Sequence, residues 1–215
     1  MSTFAVARPD EGRSNANASV LLVCGSRKPA PGVDRPSASR ELLRLAGEGI
    51  VAAGGQWEWL DLRDFTLPFF DGRSVDAYCC SDLDRIAAAV RGHATILLSV
   101  PAYWSGPAGV MKNLLDLLGG AAYDTAPGMV PPLVNKLVAL LVVASDTTSG
   151  HAAVSAMRGT VQALGAWTPP QSAMVTNPRR ARRPEALVEA MREFGTYVAR
   201  LSADERVPWH AAAHA

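Results

Sequence analysis

Apolar positions along the 215-residue chain follow two alternating rhythms. Short unbroken apolar runs mark buried strands, and longer stretches with apolar residues three and four apart mark helices. Val20-Leu21-Leu22-Val23-Cys24 is the first such run. Residues 38–53 then place Leu42, Leu43, Leu45, Ala46 and Ile50 at helical spacing, and Gly54-Gly55 is a helix-stop signal. Residues 56–62 read as a second strand in which Trp57, Trp59 and Leu62 alternate only loosely. A turn-rich segment leads to a helix over 81–91. Later strands are predicted at 95–100, 137–144 and 171–176, and later helices at 107–118, 151–164 and 184–201.

The pattern is strand then helix, five times over. Strands apolar on both faces, with helices between them, imply a parallel sheet covered on both sides. Right-handed crossovers leave few ways to arrange it. This length and count predict an α/β, flavodoxin-like five-stranded parallel sheet of order 2-1-3-4-5 with helices on both faces. The predicted domain is 19–205. It is preceded by a polar, disordered extension at 1–18 and followed by a frayed tail at 206–215.

Composition narrows the function. A formal net charge of +1 gives no global field for nucleic acid or an anionic membrane. No apolar run has the length of a membrane span. Four arginines at 179, 180, 182 and 183 lie between prolines without interleaved aromatics, so they read as a solvated loop and no nucleic-acid partner is expected. The three cysteines, Cys24, Cys79 and Cys80, make no disulfide framework and fit a cytoplasmic compartment. None of the histidines pairs at ligand spacing outside the tail, so no metal is expected. No G-x-S-x-G turn signals a serine hydrolase.

Three polar loops leave strands one, three and four, at the edge where open α/β sheets bind ligands. The first holds Gly25-Ser26-Arg27-Lys28 and, before the helix, Ser37 and Ser39. Serines there cap the helix, and with the helix amides they also suit an anion. The second, Pro101-Ala102-Tyr103-Trp104-Ser105-Gly106-Pro107, carries two aromatic rings suited to a planar ligand. The third runs from Ser145 and Asp146 to Gly150 and His151 and suits either a cap or bonds to a polar ring edge.

These loops, with Leu67-Pro68-Phe69-Phe70-Asp71 and the spacing Pro101-x-Tyr103-x-x-Gly106-Pro107-x-x-x-Lys112-Asn113-x-x-Asp116, resemble the NADPH-dependent FMN reductase family over about 20–201. That family includes flavin, quinone, azo-compound and chromate reductases. The resemblance implies FMN as cofactor and NADPH or NADH as electron donor. It places the FMN phosphate at Ser26, Arg27, Ser37 and Ser39. It places the ribityl chain and ring at Pro101, Ala102, Tyr103, Trp104 and Ser105, and the pyrimidine side at Ser145, Asp146 and Gly150. Lys112, Asn113 and Asp116 match positions that are mainly structural.

Three departures stand out. Residues 28–36 look inserted, Ala102 and Trp104 replace the family's frequent Glu and Asn, and the third loop lacks paired glycines. No side chain must act as acid or base, since the flavin carries the chemistry. Tyr103, Trp104, Ser105 and His151 are the possible supports.

The resulting expectation is an NAD(P)H-dependent FMN oxidoreductase acting on flavin, quinone or another small organic acceptor. An enzyme dedicated to one biosynthetic intermediate is the near alternative, and a non-enzymatic flavin electron carrier the distant one. Met111, Leu114, Leu115, Leu117 and Leu118 exceed one buried helix face, which argues for a partner surface, and the resemblance implies a homodimer or homotetramer. Residues 123–132 suit a lid.

Overall fold

The computed structural model describes residues 19–28, 37–73, 75–119, 130–178 and 184–204. The expected extension at 1–18, the inserted stretch over 29–36, the lid over 123–129, the four arginines and the 206–215 tail lie outside the described residues.

Five parallel strands form the sheet: β1 (Ser19–Cys24), β2 (Gln56–Asp61), β3 (Thr95–Tyr103), β4 (Leu137–Ala144) and β5 (Ala173–Thr176). Their order is β2-β1-β3-β4-β5, as the sequence predicts. A two-residue return, Gly106–Pro107, pairs antiparallel with the end of β3. The helices are α1 (Ala38–Ala52), α2 (Ser81–Gly92), α3 (Gly109–Gly119), α4 (Thr147–Ala163) and α5 (Glu185–Ser202).

Alternation along each strand sends its side chains into two separate cores. Leu21, Val23, Ile96, Leu98 and Leu140 pack with Leu83 and Ile86 of α2, Leu114 of α3 and Met157 of α4. Val20, Leu22, Cys24, Leu97 and Leu141 pack with Leu42 and Leu43 of α1 and Phe194 of α5. On this second face α1 and α5 approach so closely that a Cβ added at Gly49 would collide with the Arg192 carbonyl, and one at Gly195 with the Ala46 carbonyl.

Helix α1 shows how its ends are written in the chain. The Ser37 hydroxyl accepts from the Arg40 amide at its start. At its end the Gly55 amide reaches the Ile50 carbonyl and the Gly54 amide the Val51 carbonyl, with Gly54 at φ 83°. Those paired bonds require a left-handed residue, which glycine adopts without penalty.

Three expectations need correction. Strand β3 runs to Tyr103 rather than ending at residue 100. Helix α4 starts at Thr147 rather than 151, because the Asp146 carboxylate caps the Ser149 amide at 2.8 Å. The third loop is therefore short, and Gly150 and His151 lie in the helix. Finally, Met111, Leu114, Leu115, Leu117 and Leu118 are all buried within the single chain. They cover the sheet, so it is their reading as a surplus that is corrected. Among the described residues no helix is long and apolar enough to cross a membrane, and no cluster of three or more His, Cys, Asp or Glu side chains is placed to hold a metal.

Candidate functional site

Parallel strands end on one side, so the loops after β1, β3, β4 and β5 meet there. Between them lies an open cleft of about 300 Å³. Ser26, Lys28, Ser37, Ala38 and Ser39 form one wall; Pro101, Ala102, Tyr103 and Trp104 form another. Val143, Ala144, Ser145, Asn177 and Pro178 complete the lining among the described residues.

The first wall has chemistry that suits an anion. Helix α1 begins there, and the first amides of a helix carry outward partial positive charge. Three buried serines and a lysine stand at the same end. The wall is held rigidly. Asp61, at the end of β2 and in register with Cys24, accepts from Arg40 Nε at 2.6 Å and Nη2 at 3.2 Å. Arg40 Nη2 also donates to the Ser26 carbonyl at 3.1 Å. Ser99 Oγ donates to the Ser39 carbonyl at 3.0 Å, fastening the start of α1 to β3. Beneath this wall the buried Cys24 thiol is pushed up to about 11 by its removal from water.

Arg27 is placed elsewhere. Its Nη1 donates to the Leu62 carbonyl at 2.8 Å and the Phe65 carbonyl at 2.9 Å, so the guanidinium ties the loop to the segment after β2. Among the described residues Lys28 is the cation that lines the cleft.

The second wall is a tight β-hairpin. Ala102 pairs with Pro107 and Tyr103 with Gly106, leaving Trp104 and Ser105 as a two-residue turn. Both have positive φ, 52° and 60°. Positive φ at both central positions is the pattern that matches the twist of paired strands. Neither residue is glycine, so the turn is strained, and strain of this kind collects at functional sites. It presents Trp104 at the cleft rim 99% exposed, with Tyr103 half-exposed beside it. Ala108 donates its amide to the Pro101 carbonyl at 2.7 Å and closes the hairpin onto α3.

The third wall is only partly the one the sequence predicts. Ser145 lines the cleft, while Asp146 turns to the helix it caps. Its carboxylate accepts from the Ser149 amide and from the Ser149 and Ser145 hydroxyls, and these bonds hold it below the usual carboxylate range. Gly150 is buried, and a Cβ there would meet the Met174 sulfur at 2.5 Å, so it lets α4 approach β5. His151 is exposed on α4 and does not line the cleft.

Asn177 and Pro178 are residues that the sequence did not single out. The Asn177 amide reaches the Ala144 carbonyl at 3.0 Å, and a φ of 48° turns the chain across the end of the sheet. An Asn-Pro pair after an apolar strand is a turn signal, and a fourth loop at this edge was readable from it.

Asn113 fixes the segment resembling Leu67-Pro68-Phe69-Phe70-Asp71. Its side chain accepts from the Phe70 amide at 2.9 Å and donates to the Pro68 carbonyl at 2.8 Å. Lys112 and Asp116 pair one helical turn apart.

The model of the family described as NADPH-dependent FMN reductase matches residues 18–179. Among solved structures, a flavone reductase superposes with a TM-score of 0.69 at 14% identity, over 88% of this chain and 65% of that one. The apo form of an NADH:FMN oxidoreductase, EmoB, gives 0.66 at 15%, over 89% and 94%. FerB, a flavoenzyme NAD(P)H:(acceptor) oxidoreductase from Paracoccus denitrificans, gives 0.62 at 15%, over 90% and 97%. At such identities these likenesses bear on the fold, which is flavodoxin-like.

Proposed function

Given that the chain belongs to the NADPH-dependent FMN reductase family, we propose that it is an NAD(P)H-dependent FMN oxidoreductase that passes electrons from a nicotinamide to a small flat organic acceptor. One observation carries the reading: a single cleft has hydroxyls, a lysine and a helix start at one end, and aromatic and small apolar groups at the other. That donor set fits a molecule with an anionic tail and a planar head, which is the shape of FMN.

Ser26, Ser37 and Ser39, with Lys28 and the first amides of α1, are proposed to hold the phosphate. Pro101, Ala102 and Tyr103 bound the chain and ring, and Ala144 and Ser145 bound its far edge. The main-chain amides of the Trp104–Ser105 turn are the proposed donors to the ring's polar edge, preorganised because a two-residue hairpin has little freedom to move. Ala102, Val143 and Ala144 keep water from the inner part of the cleft. When bound, FMN supplies the hydride-accepting ring that no side chain can replace. The side chains position and desolvate, and none is required as an acid or base.

The rim sets the class of acceptor. Trp104 and Tyr103 offer flat, exposed ring surface, which suits a quinone, a flavin or another aromatic oxidant. An electron carrier is disfavoured by the near-neutral charge of +1, because a carrier docking on a protein partner gains from a strong field.

Titrating the purified protein with FMN while following tryptophan emission tests the cofactor. Saturable quenching that is weaker in Trp104→Phe is expected. Adding NADPH or NADH without oxygen should then bleach the flavin. Absence of any saturable FMN binding would falsify the proposal, and binding without bleaching would return the chain to the carrier reading.

A further inference from the structure

Arg40 occupies a position that stability does not explain. It is the third residue of α1, where the helix end favours anions over cations. Its side chain and that of Asp61 are 5% and 1% exposed, so both charges are withdrawn from water. Desolvation offsets much of the attraction in a buried ion pair, and an apolar pair of like volume is often equal or better. Among the described residues Arg40 Nη1 finds no hydrogen-bond partner, which adds to the cost. What an apolar pair lacks is an N–H to give to the Ser26 carbonyl, as Arg40 Nη2 does at 3.1 Å.

That bond has a geometric consequence. A trans peptide points its C=O and the following N–H in opposite directions, so anchoring the Ser26 carbonyl on Arg40 aims the Arg27 amide away from the guanidinium. It also fixes Ser26, whose side chain accepts from the Lys28 amide at 3.4 Å and whose residue lines the cleft with Lys28. Asp61 holds Arg40 by two bonds and also accepts from the Arg63 amide at 3.1 Å, so the second strand braces the first loop. We infer that Arg40, clamped by Asp61, is a positioning residue that sets the Ser26 peptide of the first loop for the phosphate end of the cofactor. This inference rests on the FMN reading above and adds a residue that lies behind the cleft wall, not in it.

The test compares FMN with riboflavin, which shares the ring and lacks the phosphate. The pair is electrically neutral, so replacing both members leaves the long-range attraction for phosphate unchanged. In Arg40→Met/Asp61→Leu, a folded protein is expected to lose at least tenfold in the ratio of FMN to riboflavin affinity, with riboflavin affinity unchanged. Where that variant does not fold, Arg40→Lys is used: its ammonium ends one bond short of Nη2, the atom that reaches both Asp61 and the Ser26 carbonyl. Its ratio is expected to fall at least threefold. A folded variant that keeps the wild-type ratio overturns the inference. Wild-type protein that binds riboflavin as tightly as FMN overturns it too, while leaving the flavin reading intact. Wild-type protein that binds neither removes that reading and the inference together.

Discussion

Tyr103 faces Gly106 across a turn of only two residues, and both of those, Trp104 and Ser105, have left-handed backbones. A non-glycine residue there costs on the order of 1 kcal/mol. Ser105→Gly is therefore expected to raise the free energy of unfolding by roughly 0.5–1 kcal/mol, while Ser105→Ala gives no gain. Urea denaturation of the three proteins decides it. An equal gain from alanine would mean that the serine side chain, not the backbone, is the source.

The contact between α1 and α5 yields a second prediction. Gly49→Ala and Gly195→Ala each drive a methyl into a facing carbonyl, so the helices must separate. Overpacking of this kind costs about 1–3 kcal/mol. Gly159, inside α4, has open space where its Cβ would be. Gly159→Ala should instead stabilise by about 0.5–1 kcal/mol through helix propensity. Thermal melts of the three variants should move in opposite directions.

Cys24 makes stability depend on alkaline pH. Its thiol titrates near 11 in the folded chain, against 9.0 for an ordinary thiol, because burial penalises the thiolate. Below the ordinary value both states carry the proton and the contribution is complete. As pH rises through the window to about 11 the unfolded chain ionises first and stability falls. A shift of this size is worth roughly 2–3 kcal/mol. Cys24→Ala should flatten the decline in urea midpoint between pH 9 and 10.5 relative to the parent. Parallel curves would show that other groups carry the alkaline loss.

The Asp146 cap behaves in the opposite sense. Its carboxylate is held low by the Ser149 amide first, then by the Ser149 and Ser145 hydroxyls. Its contribution is present above the ordinary carboxylate range and fades as pH falls through its depressed folded value. Asp146→Ala should lower the urea midpoint at neutral pH and lower it less at pH 2. Because Asp146 faces its helix and not the cleft, FMN affinity should change little compared with Ser37→Ala. A comparable loss of affinity in both would place Asp146 in the binding surface.

Much of the architecture was legible because the strands are buried on both faces. The runs 20–24 and 137–144 contain no polar residue to disguise them, and they became β1 and β4. The missed portions share a cause. Pro101 reads as a strand breaker, yet β3 continues through it. Ser99 directs its carbonyl to Gly25, so Pro101, two residues on, faces the same side. Strand β1 has already ended there, and no ladder bond is asked of the missing N–H. Thr147, Thr148, Ser149 and Gly150 are weak helix formers, and the Asp146 cap favours their joining α4. The α3 leucines read as surplus because the sequence does not show how much of a helix its own sheet covers. At the site, the serines of the first loop and the aromatics of the second were readable as chemistry. The direction of Arg27 was not, because it depends on carbonyls at Leu62 and Phe65 on a separate segment. Asn177 became part of the wall only through β5 pairing beside β4.

Helix α5 covers the helix whose first turn forms the first wall of the cleft, and more than a hundred residues of chain separate the two. A polypeptide emerging from the ribosome therefore makes the first wall of the cleft early and the helix that backs it later. Until residues 185–202 are synthesised, Leu42 and Leu43 share their side of the sheet, among the described residues, with no second helix. Loading of any ligand that depends on a settled α1 waits until α5 has been made and has docked.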